Sequence, residues 1–421
     1  MTLLKNYITG FLNRSGGYVF TATIASRVLS FITSWIALQL LTNKSLGEVL
    51  YAWNIITFLM PFIGFGLHQS YIRYGAITHH TNEKEALLYY VLKKGILTSF
   101  FLSLIVGLVG FIFPFKISNT GIYLSIFSFI FVPSFLVEVI KIKARLFHQN
   151  KQLAFIEIIY HCLLIVLVSL LSYVLKEIGY IIAFITTPIF VVFIFRHSII
   201  NTPKLKKPSF IDIEFWKYGF FGGLSNVASM LLFAIDILLI GYLLEDSEKV
   251  TVYRYISLIP FSILFLPRVF ITTDFVAFTE RITHKTYIYN YIKSYMLLFT
   301  ILSISFVSFF FIFKEYTLNL FDSSFTSYTD SFVILNIGVC GVLIFRGLFG
   351  NLLSSIGKIK VNYYITGFAI LINCVSNYYL IPSLGIKGAA ITSASLLWFT
   401  GLSSCIAFFY YYKPQLPTST V

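Results

Sequence analysis

Long apolar runs separated by short polar breaks fill the chain from end to end. A helix needs about 20 mostly apolar residues to cross a bilayer. Twelve stretches meet that need: 18–41, 47–71, 89–113, 121–140, 153–175, 178–195, 217–243, 253–278, 292–313, 331–355, 361–381 and 388–412. Most connections between them are too short to hold a fold of their own. The longest, from Arg196 to Trp216, carries NTPKLKKPSF, whose prolines and lysines read as a cytoplasmic linker. It divides the spans six and six, and an even number lets both halves enter the membrane in the same orientation, as parallel repeats do. Two short echoes fit such a duplication. SRVLS at Ser26–Ser30 and SNVAS at Ser225–Ser229 lie 199 residues apart, and EVLY at Glu48–Tyr51 corresponds in position to KVTVY at Lys249–Tyr253. The expected architecture is therefore an all-α polytopic membrane protein of about twelve helices. An N-terminal half over 1–200, a linker over 201–216 and a C-terminal half over 217–421 would enclose a central cavity.

Composition narrows this picture. Hydrophobic residues make up 57% of the chain and charged residues 11%, less than half the roughly 25% of a soluble domain. A soluble globule could not hide so much apolar surface, and a disordered chain would not carry it. The net charge is +14. A nucleic-acid binder is excluded as its explanation, because the Lys and Arg come with 46 Phe and 28 Tyr in apolar runs. Topology explains it instead. With the N-terminus inside, the inner loops hold 21 basic and 5 acidic residues, and the outer loops 6 and 8. Both termini are thus expected in the cytoplasm. The opening segment MTLLKNYITGFLNRSGG lacks an A-x-A cleavage site and reads as a retained amphipathic lead-in. Cys162, Cys340, Cys374 and Cys405 form no CxxC pair and read as small core or lipid-facing side chains, with no disulfide framework and no metal site.

Four arginines and four carboxylates remain inside the spans, and an ionisable group in hydrocarbon is a functional hypothesis by default. Arg27 lies about nine residues into span one; Arg268 and Arg346 lie 14 or 15 residues into theirs from the outer side. At 1.5 Å per residue these are similar depths. Facing one cavity, the three would form an anion site, because guanidinium forks bind phosphate oxygens two at a time. The bland alternative is that each pairs with a carboxylate or snorkels to the interface. Asp236, in LLFAIDILLIG, is the candidate for coupling to H+ or Na+, against a structural ion pair. Glu138, Glu157 and Asp274 read as rim charges, Arg254 as interfacial, and His68 and His161 as helix-packing histidines. Pro260 and Pro267 should bend span eight. Gly219 and Gly223 give a GxxxG spacing for close helix approach. No GxxxxGK[ST], HExxH or GxSxG motif occurs, so a transporter is expected and not an enzyme.

One stretch is more specific. Leu371–Trp398 reads LINCVSNYYLIPSLGIKGAAITSASLLW. Its Asn373, Asn377, Leu380, Ile381, Pro382, Gly385, Ile386, Gly388, Ala389 and Ala390 fit an N-x3-N-x2-LIP-x2-GI-x-GAA pattern. This resembles the signature of polysaccharide flippases in the multidrug/oligosaccharidyl-lipid/polysaccharide exporter superfamily, and within it the Wzx-type O-antigen flippases. In that pattern Pro382 is expected to stop the helix, Gly385 to allow a tight turn and Gly388 to admit a close neighbour. GFGLHQSYIRY at Gly64–Tyr74, Tyr218–Gly241 and Tyr253–Pro260 resemble further stretches of the family. The resemblance implies a MATE-like fold in the bacterial inner membrane. It also implies transfer of an undecaprenyl-diphosphate-linked oligosaccharide to the outer leaflet by alternating access. No cofactor is implied beyond a coupling H+ or Na+. Partners would be the lipid-linked substrate, membrane lipids and the polysaccharide polymerase and chain-length machinery, with no nucleic acid. A lipid-linked peptidoglycan precursor flippase, a cation-coupled drug exporter and a membrane glycan polymerase are the alternatives.

Overall fold

The computed structural model describes residues 17–412 apart from 79, 148, 201–207, 209–210, 269, 272–280 and 283. The amphipathic lead-in, most of the 201–216 linker and Asp274 lie outside the described residues. So do the side chains of Ser225, Asn226, Ala228 and Ser229 in the second repeat segment.

The described chain is helical throughout. In order it forms α1 (Gly17–Leu40), α2 (Asn43–Leu59), α3 (Leu67–Ile77), α4 (Thr81–Ile112), α5 (Thr120–Phe127), α6 (Phe131–Leu146), α7 (Asn150–Ile194), α8 (His197–Ile200), α9 (Ile213–Leu244) and α10 (Ser247–Ser262). After these come α11 (Lys285–Ile312), α12 (Lys314–Asn319), α13 (Thr329–Gly341), α14 (Gly347–Ser355), α15 (Ile359–Leu384) and α16 (Ile386–Tyr411). Among the described residues, ten continuous helical stretches are long and apolar enough to cross a membrane. This is a multi-pass membrane protein.

Two details reconcile ten with the expected twelve. Helix α7 is not one rod. Lys176 has φ 52 and ψ −128, and the chain doubles back there. The rings of Phe155 and Phe195 come within 6.2 Å, although an unbroken helix would put forty residues about 60 Å apart. Helix α7 is therefore two spans in a hairpin, as the runs 153–175 and 178–195 predict. The second detail is α9, 32 residues long, of which the apolar portion Ala234–Leu244 falls short of a full span on its described residues. Its N-terminus is capped by Asp212, whose carboxylate accepts from the Phe215 N–H at 3.0 Å.

The described chain separates into two compact units, one up to Thr251 and one from Val252 onward. By contact the division falls one helix later than the linker, because α9 packs on helices of the first unit. Close backbone approach holds it there. A Cβ on Gly219 would lie 2.8 Å from the Gly66 carbonyl oxygen, and one on Gly223 would lie 2.8 Å from that of Pro61. The GxxxG spacing thus meets the break in span two, where Gly64, Phe65 and Gly66 all have positive φ. Ser70 seals the contact by donating to the Phe215 carbonyl at 2.6 Å. The first turns of α2 and α10 also meet, with Thr251 Oγ1 donating to the Asn43 carbonyl at 2.6 Å.

In the second unit a core of Tyr291, Tyr295, Phe299, Phe349 and Phe408 ties α11, α14 and α16 together. Span eight breaks after Ser262, as its prolines predict, and resumes through Leu266 N–H to the Ile263 carbonyl. Pro382 is a correction: α15 runs through it to Leu384. A proline this close to a helix end removes one N–H and needs no stop. The stop is Gly385, at φ 59 and ψ −137, a conformation that a side chain forbids.

Candidate functional site

Helix α1 carries small and polar residues four apart. Ala22, Ser26 and Ser30 form one row and Thr23 and Arg27 a second beside it, all on one wall of a cavity of about 310 Å³. Arg145 of α6 and Leu153, Ala154, Glu157 and His161 of α7 complete the lining. Every one of these residues belongs to the first compact unit. The cavity thus brings two guanidinium groups, a carboxylate and an imidazole to one small volume within membrane-spanning helices.

Behind the wall stands Lys141. Its Nζ lies 3.0 Å from Glu157 Oε1 and 3.3 Å from Glu138 Oε1, and it is 5.8 Å from the Tyr160 ring. One cation therefore neutralises part of two carboxylates, as a lysine in low dielectric must be compensated. Counting Arg27, Arg145 and Lys141 against Glu138 and Glu157 leaves the group with one excess positive charge. Ser26 Oγ and His161 Nδ1 are buried without a hydrogen-bond partner.

Several expectations change here. Glu138 and Glu157 share Lys141 beside the cavity. His161 is a wall residue and not mere helix packing. Arg145, expected in an inner loop, sits in the last turn of α6. The apolar run ends near residue 140, but the helix continues because Val139, Ile142 and Leu146 keep a buried face. The spacing carries the missed signal. Glu138, Lys141 and Arg145 fall at i, i+3 and i+7 on α6, and Glu157 and His161 at i and i+4 on α7, so each set shares a helix face.

The other candidates lie elsewhere. Arg268 and Arg346 belong to the second unit and Arg27 to the first. Arg268 is exposed, and Pro267 beside it meets Gly347 closely enough that a Cβ there would lie 2.7 Å from the Pro267 Cβ. The segments carrying Arg268 and Arg346 are thus neighbours. Arg346 ends a π-helical stretch, Val342–Arg346, a local widening common at functional positions. Its Nη2 donates to Thr366 Oγ1 at 2.8 Å, while Nη1 is buried without a hydrogen-bond partner. Among the described residues no carboxylate forms an ion pair with it. Arg254 is partly buried on α10. Asp236 is wholly buried on α9, in the turn whose Ala234 carbonyl accepts from Asn54 Nδ2 at 2.9 Å. His68 Nδ1 lies 3.2 Å from the Ile63 carbonyl.

Glu48 needs a further correction. Counted with the outer loops, it is buried in α2 and accepts from Ser118 Oγ at 2.7 Å and Asn119 Nδ2 at 2.8 Å. It anchors the turn between α4 and α5. Beside that turn Lys116 pairs with Glu245 at 2.7 Å, which raises the lysine pKa through the hydrogen bond. In the terminal motif, Asn373 and Asn377 are fully buried, with Asn377 Nδ2 donating to Asn373 Oδ1 at 2.8 Å. Gly388 lies directly against the Leu380 carbonyl, where any Cβ would collide. The four cysteines are free, Cys162 exposed and Cys340 buried.

No protein-family model and no curated protein matches the sequence. Solved structures do. An inward-facing multidrug-resistance MATE family transporter aligns with a TM-score of 0.70 at 14% identity, over 91% of this chain and 93% of that one. The lipid II flippase MurJ, in an inward closed conformation, aligns at 0.70 and 17% identity, over 92% and 87%. A MOP superfamily transporter from Pyrococcus furiosus, described as having a binding pocket of reversed polarity, aligns at 0.62 and 13% identity, over 97% and 96%. The fold is that of the multidrug/oligosaccharidyl-lipid/polysaccharide exporters. Within this exporter fold, the charged cavity belongs wholly to the N-terminal unit and is built from its first, fourth and fifth spans.

Proposed function

We propose that the chain is a flippase of the bacterial inner membrane. It carries an undecaprenyl-diphosphate-linked oligosaccharide, an O-antigen or similar surface repeat unit, from the cytoplasmic to the outer leaflet by alternating access. The observation that carries this reading is the pairing of Arg27 and Arg145 on one cavity within spanning helices. Two guanidinium forks at one site suit a diphosphate, which offers several anionic oxygens. Arg268 and Arg346 are further candidates for contact with the anionic headgroup, with Tyr, Asn and Ser side chains for the sugars and the lipid tail left in the bilayer. Asp236 is the coupling carboxylate for H+ or Na+. Both termini face the cytoplasm, and the polymerase and chain-length machinery receive the product. The excess positive charge of the cavity disfavours cationic drugs as cargo.

The test is reconstitution in liposomes with a lipid-diphosphate-linked oligosaccharide. Transfer between leaflets that falls at least tenfold in Arg27→Ala and Arg145→Ala supports the reading. Efflux of cationic dyes without lipid transfer would place the chain among drug exporters. Chain extension of the glycan would make it a polymerase.

A further inference from the structure

We propose that the cavity takes up a proton together with its anion, at His161. This rests on the anion-site reading of Arg27 and Arg145.

The imidazole is part of the wall that holds both arginines. Its Nδ1 is buried with no hydrogen-bond partner. A neutral imidazole has one donor and one acceptor nitrogen, whereas the imidazolium has two donors. Around the imidazole, Arg27, Arg145 and Lys141 oppose a further positive charge, and Glu157, which favours one, is already engaged by Lys141. An anion seated on the arginines reverses that balance. It brings negative charge to the same small volume and supplies an acceptor for a second imidazolium N–H. Histidine is the group suited to answer, because its charge changes between pH 5 and 8 without large perturbation.

The charged and titratable groups facing His161 are few. From α1 comes Arg27; from α6 come Arg145 and Lys141, with Glu138 on the far side of Lys141; from α7 come Glu157 and the neighbouring Tyr160. The rings of Tyr160 and His161 are 5.5 Å apart. His68 on α3 faces Glu138 and not the cavity. Both carboxylates are engaged by Lys141, at 3.0 and 3.3 Å. Among these groups His161 is the one with neither a fixed charge nor a hydrogen-bond partner on Nδ1.

By linkage, proton and anion then help each other. Anion affinity rises as pH falls through the histidine range, by at most about tenfold per pH unit for one coupled proton. Binding between those limits draws protons from the buffer.

The experiment is calorimetric titration of the full chain in detergent with inorganic pyrophosphate, at pH 7, in two buffers of different ionisation enthalpy. The difference in observed heat gives the protons taken up. Wild type is expected to take up a fraction of a proton per pyrophosphate bound. His161→Gln should still bind, with uptake lost and the pH dependence of affinity flattened. Glu157→Gln should keep the uptake, which separates the imidazole from the carboxylate. Pyrophosphate binding without uptake in wild type overturns the proposal and leaves the anion site standing. Uptake that survives in His161→Gln but vanishes in Glu157→Gln moves the proton to the carboxylate and overturns it too. Pyrophosphate binding that is absent, or unchanged in Arg27→Ala, sinks the anion-site reading itself and the proposal with it.

Discussion

A guanidinium held between helices with a threonine hydroxyl as its hydrogen-bond partner costs the fold more than it returns, since a buried charge needs a counter-charge. Arg346 is in that position, with Nη2 on Thr366 and Nη1 unsatisfied. A residue retained for stability should weaken the protein when removed. One retained for cargo should not. Arg346→Met is expected to leave the thermal unfolding midpoint in detergent unchanged or raise it by a few degrees, while lipid transfer falls at least tenfold. A large drop in the midpoint with normal transfer per folded molecule would show that the arginine is structural. Lys141 should behave in the opposite way. Removing it in Lys141→Met leaves Glu138 and Glu157 beside each other with no cation between them. Both carboxylates retain some solvent contact, at 42% and 31% exposure. The loss is therefore expected at about 1–3 kcal/mol, below that of a dry pair. It is measured as a lower unfolding midpoint that partly recovers at acidic pH, when the carboxylates can protonate. A midpoint independent of pH would refute the account. Arg27, Glu157 and His161 were legible as ionisable groups within apolar runs, because a charge there is conspicuous. Their convergence with Arg145 was not. Arg145 lies past the end of the run 121–140, where a hydropathy count treats it as loop.

At the scale of elements, the described parts of the twelve runs translate into helices with few surprises, because length and apolarity alone decide what can cross a bilayer. The misjudged features are terminations. Pro382 attracts attention as a helix breaker, yet the helix ends three residues later at Gly385, where the required backbone angles exclude other residues. Two glycines of the same motif then separate conformational from steric cost. A Cβ at Gly385 would meet nothing within 4 Å, so Gly385→Ala should cost about 1–3 kcal/mol purely through its positive φ. At Gly388 the backbone is helical, but a Cβ would collide with the Leu380 carbonyl. Gly388→Ala must therefore push α15 and α16 apart. Asn is tolerated in the left-handed helical region, but ψ −137 lies far outside it, so Gly385→Asn should lose about as much as Gly385→Ala, and no side chain recovers Gly388 either. Unfolding midpoints of the three variants check this, and a Gly385→Ala midpoint equal to that of wild type would show that the backbone angle is not limiting. The π-helical turn at 342–346 left no trace in the pattern, since widening by one residue shifts the apolar face too little to see.

For the whole molecule, the direction of transport is the remaining physical problem. If a proton enters the cavity with the anion, an inward proton gradient opposes export, because proton and cargo would leave together. The driving ion must then act elsewhere and move against the cargo. Asp236 is the candidate proposed for that role. It is wholly buried on α9, a helix that contributes nothing to the lining of the cavity. The two sites should separate cleanly in vesicles. Asp236→Asn is expected to abolish the accumulation of lipid-linked cargo driven by an imposed ion gradient, yet to preserve downhill exchange between leaflets with no gradient. His161→Gln should keep the gradient response and lose the acceleration of exchange at pH 6 over pH 8. Gradient-driven accumulation that persists in Asp236→Asn would remove it from coupling, and the inward proton gradient would then have to act through some other buried group. Loss of downhill exchange as well would mark Asp236 as part of the helix contact with Asn54 and not of the drive, because an ion that only powers transport is not needed when cargo runs down its own gradient.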